Sequence, residues 1–541
     1  MFTISDEDMS EMSPAGPYSL GLARIKCQMI ATPGLSMTAC AGSGVAIAVA
    51  GMKDCRRALS SSRGLYSKDS MHSTPSTPSN VRLPPVSRRP SSLLPAGQAV
   101  SCEPSRPLLS LLARLGGVLA VLGAVLLYRT PLLLSIRTPV MTFVTLGIVL
   151  GLSLELRALG RDSMRRWPTR FMVALWVLCL ALVLAIEGRF RLAKGRVLAA
   201  SPAELQAVGA HLVVGFRSLD ELYRLSDQET VAGVYISRRN LQRIDPVELH
   251  RALARIQGER RARHQPPLLV TADQEGGVVS HLSPTLTRLP GLGTLIDRGV
   301  ATPVKILDYA HVHGRELASL GVNINFAPVV DLRLHVERAL DRYTNIEARS
   351  ISGDPALVAA VAGPYCEGLA SEGIACTLKH FPGIGRVRED THYFAGHLQL
   401  DRRMLEQQDF WPFRQLVRSA PPSTLMMLSH TIVDAVDERL PASMSASVVD
   451  GLLRQEWGFD GVLITDDLSM FPISLGPGVG EASVRALASG VDLLLLSYDP
   501  DLYYVAVDEL LSRSQEIPAE RLANSERRVR ALQRWLTNEG S

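Results

Sequence analysis

Residues 374–392 read Ile-Ala-Cys-Thr-Leu-Lys-His-Phe-Pro-Gly-Ile-Gly-Arg-Val-Arg-Glu-Asp-Thr-His. The first five form a short apolar run of strand length. The run stops at a cation and an imidazole, Lys379 and His380, then passes through glycines and a proline into Asp390-Thr391-His392. Asp390 is placed to orient and charge-balance His392, whose unperturbed pKa lies near physiological pH. On Asp390, Thr391 and His392 alone, a surface loop whose Asp and His cap a helix is the favoured reading. The rest of the chain decides.

Seven further runs of the same kind flank this one: His211–Phe216, Gly233–Ser237, Leu268–Ala272, Val322–Ala327, Thr424–Leu428, Gly461–Thr465 and Val491–Ser497. They are continuously apolar rather than alternating, as strands covered on both faces must be. Amphipathic stretches lie between them, among them Pro246–Gln257, Val304–Leu320, Pro355–Ala370, Arg403–Ser419 and Ser447–Trp457. Strands alternating with helices predict an α/β fold, a (β/α)8 TIM-type barrel over residues 200–541. A doubly wound open sheet would want a Gly-rich phosphate turn after its first strand, and Gly215-Phe216-Arg217-Ser218 is not one.

The front of the chain is different. Residues 1–105 are expected to be a disordered tail, since Ser, Pro, Gly and Arg dominate from Ser60 to Pro107 and no sustained periodicity appears. From 106 to 190 three apolar runs follow, Leu108–Tyr128, Pro131–Leu156 and Phe171–Ile186, each near the roughly 20 residues that cross a bilayer as a helix. Three transmembrane helices are expected, so the membrane itself is a partner. Arg157, Arg161, Arg165, Arg166 and Arg170 in one short loop, with Arg82, Arg88, Arg89 and Arg106 upstream, belong in the cytoplasm. The barrel is then extracytoplasmic, although Arg189, Arg191, Lys194 and Arg196 pull the other way.

Composition excludes several classes. The net charge of +4 is small for 541 residues, and no basic block is interleaved with aromatics, so nucleic acid is not an expected partner. The seven cysteines form no Cys-x-x-Cys pair, which argues against a zinc site or a disulfide framework; Cys366 and Cys376 are read as small packed hydrophobes. No metal and no cofactor are expected, and oligomeric state is not readable.

In such a barrel, polar residues just past the strands converge on one mouth. Here they are Asp273, Gln274 and Glu275, then Asp331, Lys379 with His380, Ser429 with His430, and Asp466 with Asp467. Carboxylates mixed with cations and imidazoles, with no phosphate loop, suit a neutral polyhydroxylated ligand such as a sugar. Glycoside hydrolysis needs a nucleophilic carboxylate and a separate proton donor.

Asp273-Gln274-Glu275-Gly276-Gly277, Asn325-Phe326-Ala327-Pro328-Val329-Val330-Asp331, Lys379-His380-Phe381-Pro382-Gly383, Gly458-Phe459-Asp460-Gly461-Val462 and Thr465-Asp466-Asp467-Leu468-Ser469-Met470 together resemble glycoside hydrolase family 3. The likeness spans residues 205–535 and is nearest to the family's single-domain β-N-acetylglucosaminidases. It implies Asp466 as nucleophile of a retaining reaction, His392 as acid/base with Asp390 as its partner, and Asp467 as a supporting carboxylate. It implies Asp273, Arg349, Lys379 and His380 as the residues holding an N-acetylglucosamine ring. His281 stands where the family has a sugar-contacting Arg, and Val278 and Ile384 stand where it commonly has Arg and His. The implied activity is exo-β-N-acetylglucosaminidase on peptidoglycan-derived or related glycans. The alternatives are a β-N-acetylglucosaminide phosphorylase, another β-glycosidase of the family, and a non-catalytic glycan sensor.

Overall fold

The computed structural model describes residues 106–161, 166–227, 230–336, 344–418 and 420–538. The expectation for the tail at residues 1–105 lies outside them, as does residue 165 of the basic loop.

Three long helices come first: α1 (Arg106–Leu127), α2 (Arg137–Arg161) and α3 (Arg166–Ala199), with a 3-10 turn, Pro131–Ile136, before α2. Three stretches here are long and apolar enough to cross a membrane: Leu109–Leu127 in α1, Leu133–Gly160 in the turn and α2, and Trp167–Ala199 in α3. Val118, Val125, Val144, Ile148, Met172, Trp176 and Val183 form their shared seam. Gly151 allows close approach there, since a Cβ on it would lie 2.3 Å from the Trp176 ring. Outward the helices stay apolar, with Phe143, Leu150, Trp167 and Leu184 exposed. Arg114, the charge that interrupts the first run, is met by Glu155 of α2 at 2.7 Å. Helix α3 continues well past the apolar run that ends at Ile186. It does so because its last turns have a partner in the following domain: Phe190 meets Tyr504 edge-on at 6.4 Å and Arg196 donates to Asp508 at 2.6 Å.

Eight parallel strands follow: β1 (Leu212–Gly215), β2 (Gly233–Ile236), β3 (Leu269–Ala272), β4 (Ile324–Asn325), β5 (Ala375–Phe381), β6 (Thr424–Leu428), β7 (Leu463–Thr465) and β8 (Leu494–Leu496). Spatial order equals chain order, β1 pairs with β8 through Val213 and Leu495, and a bridge between Ile464 and Leu493 completes the ring. The barrel expected from the eight runs is present.

Alternation along the strands makes two cores. Val213, Leu269, Ile324, Ala375, Leu425, Ile464 and Leu495 fill the interior. Leu212, Val214, Val234, Val270, Leu378, Met426 and Leu496 face the surrounding helices. Val529, Leu532 and Trp535 of the last helix, Ala519–Asn538, join the interior cluster at the strand starts and plug that end. The opposite end is the mouth. Helices Pro246–Ala262, Pro303–Leu320 and Pro355–Ala370 start at that end, each behind an Asp or Thr cap and a first-turn proline.

Two expectations are corrected. The single helix expected over Arg403–Ser419 is two, Arg402–Gln407 and Phe410–Val417. The break at Gln408 turns Asp409 inward, where Arg386 donates to it at 2.8 Å, while Phe410 and Phe413 pack on Phe381. Cys366 and Cys376 are not separately packed thiols but a disulfide. Helix Pro355–Ala370 lies against β5, which brings residues ten apart in sequence to a Cα separation of 5.4 Å.

Candidate active site

Strand β5 runs on through Lys379 and His380, so these residues lie inside the strand rather than beyond it. Both are buried. The Lys379 ammonium lies 2.5 Å from Asp273 and 2.6 Å from Glu275. Arg349 reaches Glu275 with two nitrogens, at 2.9 and 2.7 Å, and lies 3.3 Å from His380 Nε2. Burial alone would raise the Glu275 carboxyl, but Arg349 and Lys379 hold it far below the usual carboxylate range. Burial works against the Lys379 ammonium too, yet Asp273 and Glu275 carry it above its ordinary value. Glu275 is therefore held as a carboxylate between two buried cations, Arg349 and Lys379.

Glu275 can enter this cluster because its backbone turns at once. Gly276 has φ +86°, and a Cβ there would meet the Tyr309 hydroxyl at 2.4 Å and the Pro290 carbonyl at 2.7 Å. Sequence reasoning placed Glu275 at the strand end without giving it a role, and missed Tyr235. The Tyr235 hydroxyl donates to Asp273 at 2.8 Å and lies 3.0 Å from His281 Nδ1. His281 is thereby joined to the group, and burial lowers its pKa. Val278, between the antiparallel strands Gln274–Gly276 and Val279–Ser280, is exposed.

Asp331 is fully buried and organises the start of the loop after β5. It accepts from His380 through the backbone N–H at 3.1 Å, pairs with its Nδ1 at 2.7 Å, and takes the Ile384 N–H at 2.7 Å. The Ile384 side chain packs with Val329, Ile346 and Val387 in a small apolar cluster. Its departure from the family pattern is thus a change in packing beneath the loop.

Asp390 is buried and His392 half-buried. Asp390 Oδ1 accepts the His392 N–H at 3.0 Å and the Thr344 hydroxyl at 2.8 Å, and lies 3.0 Å from His392 Nδ1. Burial would raise this carboxyl, but the His392 ring, its N–H and Thr344 hold it well below the usual range. The Thr344 carbonyl accepts from Arg349 at 2.9 Å, so one residue ties the Asp–His pair to the buried ionic cluster. No sequence signal pointed to Thr344.

Asp466 and Asp467 follow β7 and separate in behaviour. Asp467 takes the Ser469 hydroxyl at 2.6 Å and the Ser497 hydroxyl, bracing β7 against β8. Burial pushes its pKa up. Asp466 accepts the Asp467 N–H at 2.8 Å. Burial would raise its carboxyl as well, but His380 and His430, with that N–H and His392, hold it below its ordinary value. His430 is itself buried between Ser443 and the Asp467 carbonyl. The Phe471 N–H donates to the His392 carbonyl at 3.1 Å, which binds the loop carrying His392 to the segment following Asp466. Among the described residues, no group of three or more His, Cys, Asp or Glu side chains is arranged to hold a metal ion.

The structure therefore brings Asp273, His281, Arg349, Lys379, His380, Asp390, His392 and Asp466 to one barrel mouth. A carboxylate held below its ordinary value at one strand end, and an Asp–His pair on a loop hydrogen-bonded to the segment after it, are groups of the kind that attack and proton transfer use.

Residues 203–532 match the glycosyl hydrolase family 3 N-terminal domain. A β-hexosaminidase of Nitrosomonas eutropha is 32% identical over 289 residues, spanning 53% of this chain and 78% of that protein. One from Alkalilimnicola ehrlichii is 34% identical over 289 residues, spanning 51% of this chain and 79% of that protein. Among solved structures, a glycoside hydrolase family 3 β-N-acetylglucosaminidase from a Paenibacillus species superposes with a TM-score of 0.56 at 35% identity. That match covers 61% of this chain and 62% of the other, which is under two thirds of it.

Proposed function

The chain belongs to glycosyl hydrolase family 3 and is a glycoside hydrolase; from that premise we propose that it is a membrane-anchored, retaining exo-β-N-acetylglucosaminidase. The similarity to β-hexosaminidases supports that class of activity. The finer reading takes the substrate as a terminal N-acetylglucosamine on a peptidoglycan-derived or related glycan.

Asp466 attacks C1 of the sugar while His392 gives its proton to the departing glycosidic oxygen. The C1–O bond to the leaving group breaks and a glycosyl ester forms. His392, now neutral, takes a proton from water, the hydroxyl adds to C1, and the Asp466 carboxylate is released. Asp390 holds the imidazole and its tautomer through Nδ1. Asp273, Arg349, Lys379, His380 and His281 hold the sugar. An imidazole donor keeps formal negative charge away from the ester and from water's approach.

The observation that carries this reading is the hydrogen bond from Phe471 to the His392 carbonyl, which joins the loop of the proton donor to the segment after Asp466. The test is release of chromophore from an aryl N-acetyl-β-glucosaminide. Wild type turns over with the β-anomer as first product, and Asp466→Ala does not. No release by wild type, with unchanged sugar binding in Asp466→Ala, overturns it.

The apolar helices are read as bilayer spans with the barrel on the extracytoplasmic side. The basic residues around 157–170 support that orientation. The Cys366–Cys376 bridge supports it independently, because disulfides persist in oxidising compartments.

A further inference from the structure

We propose that the barrel turns its catalytic mouth toward the bilayer, and that its substrate is a glycan carried on a membrane lipid. The proposal rests on the glycosidase reading and on α1–α3 as spans. Three independent features of the fold set the orientation.

The first is the course of α3. At about 1.5 Å per residue, the apolar run Phe171–Ile186 covers about 24 Å, most of the roughly 30 Å of a hydrocarbon core. Polar groups begin at Glu187, which accepts from the Tyr128 hydroxyl at 3.2 Å and from Arg129 at 2.5 Å. Beyond it, Phe190 meets Tyr504 and Arg196 meets Asp508, so α3 runs parallel to helix Leu502–Ser512. That helix starts at the mouth, just after β8, and descends toward the plugged end. Helix α3 therefore leaves the apolar layer at the level of the mouth. It reaches the base only at Ala199, where helix Pro202–Gly209 leads into β1.

The second is the connection between α1 and α2, which lies on the same side of the apolar layer as Glu187. Arg137 donates to Asp499 at 2.5 Å and to Asp501 at 3.1 Å, both just past the end of β8. The turn Pro131–Ile136 packs on helix Phe471–Leu475, which follows Asp466 and carries the Phe471 contact to His392.

The third is where the barrel exposes large apolar side chains. Beyond α1–α3 and the turn before α2, those exposed among the described residues are Val247, Val278, Val304, Phe394, Leu475 and Tyr498. Val278, Phe394, Leu475 and Tyr498 follow β3, β5, β7 and β8. Val247 and Val304 sit in the first turns of helices that start at the mouth. The plugged end contributes none of them. An apolar rim at the level where α3 enters the bilayer fits the headgroup boundary.

A mouth in this position is reached from the membrane plane. A terminal N-acetylhexosamine borne by a lipid is delivered there by lateral diffusion at high effective concentration, whereas a soluble glycan must enter between barrel and headgroups. The bond cleaved is the terminal C1–O bond, with water supplying hydroxyl to C1 and a proton to the lipid-borne leaving group.

The test uses full-length protein in proteoliposomes with two probes, an aryl N-acetyl-β-glucosaminide and a dialkylglycerol N-acetyl-β-glucosaminide. The lipid probe is placed either in the same vesicles as the protein or in separate ones. Same-vesicle substrate should be cleaved at least about ten-fold faster than the same amount in separate vesicles. Leu475→Asp should slow same-vesicle cleavage several-fold and leave aryl-glycoside turnover unchanged. Equal rates in the two presentations overturn the proposal. A fluorophore on Leu475→Cys should be quenched by nitroxide-labelled lipid, and one on Ser514→Cys, at the far end of helix Leu502–Ser512, should not; equal quenching also overturns it. If the aryl glycoside itself is not cleaved, the glycosidase reading fails, while the quenching pair still judges the orientation.

Discussion

Asp390 Oδ1 lies 3.0 Å from His392 Nδ1 and accepts the backbone N–H of the same histidine at 3.0 Å. Two contacts to one oxygen fix both the imidazole and the loop that carries it. The Thr344 hydroxyl donates to the same oxygen at 2.8 Å; against burial, the His392 ring and N–H, and then Thr344, hold the carboxyl below its ordinary range. Asp390→Asn should therefore lower kcat by about 10²–10⁴ with little change in KM, since general acid–base catalysis is what it removes. Steady-state kinetics should show the smaller loss on aryl glycosides with good leaving groups. An equal loss on all leaving groups would count against proton donation by His392.

Glu275 balances two buried cations, Arg349 and Lys379. Glu275→Gln removes one member of a buried ionic set and should cost about 3–5 kcal/mol, read by thermal or denaturant unfolding. The pH dependence has a definite sign. The folded carboxyl titrates below its unfolded value, so its stabilisation is present above about pH 4.3 and is lost as pH falls toward the folded value. Wild type should lose stability over that acid range more steeply than Glu275→Gln.

Asp466 is held below the ordinary carboxylate range against the effect of burial, in part by His430. Replacing that imidazole in His430→Asn should move the acid limb of the kcat/KM profile to higher pH. On the proposed mechanism deprotonated Asp466 is the active form, so less of it survives at a given acidic pH. An unmoved limb would show that His430 serves packing alone.

The Cys366–Cys376 bridge closes a short loop between helix Pro355–Ala370 and β5. In the chain-entropy account a loop of about ten residues contributes about 3 kcal/mol. Cys366→Ala with Cys376→Ala should lower the melting temperature correspondingly and leave KM unchanged. Oxidised wild type should also melt higher than protein kept in reductant.

Much of this was legible in the chain itself. Continuous apolar runs such as Thr424–Leu428 are two-sided strands, and eight of them separated by helices close a barrel, because each face needs a cover. The strand ends place Asp273, Lys379, His380 and Asp466 together by topology alone, and spacing puts Asp390 beside His392. Other features needed three dimensions because they join segments far apart in sequence. Thr344 touches Asp390 across 46 positions, and Glu275 meets Arg349 across 74. Tyr235 is an unremarkable strand aromatic until the barrel closes and sets its hydroxyl between Asp273 and His281. Cys366 and Cys376 read as ordinary apolar positions until the helix lies on its strand. Three apolar helices of spanning length were plain from composition, since length and residue type are local properties of the chain. Which end of the barrel they meet was not, since Arg137 and Asp499 are 362 positions apart and only packing brings them together.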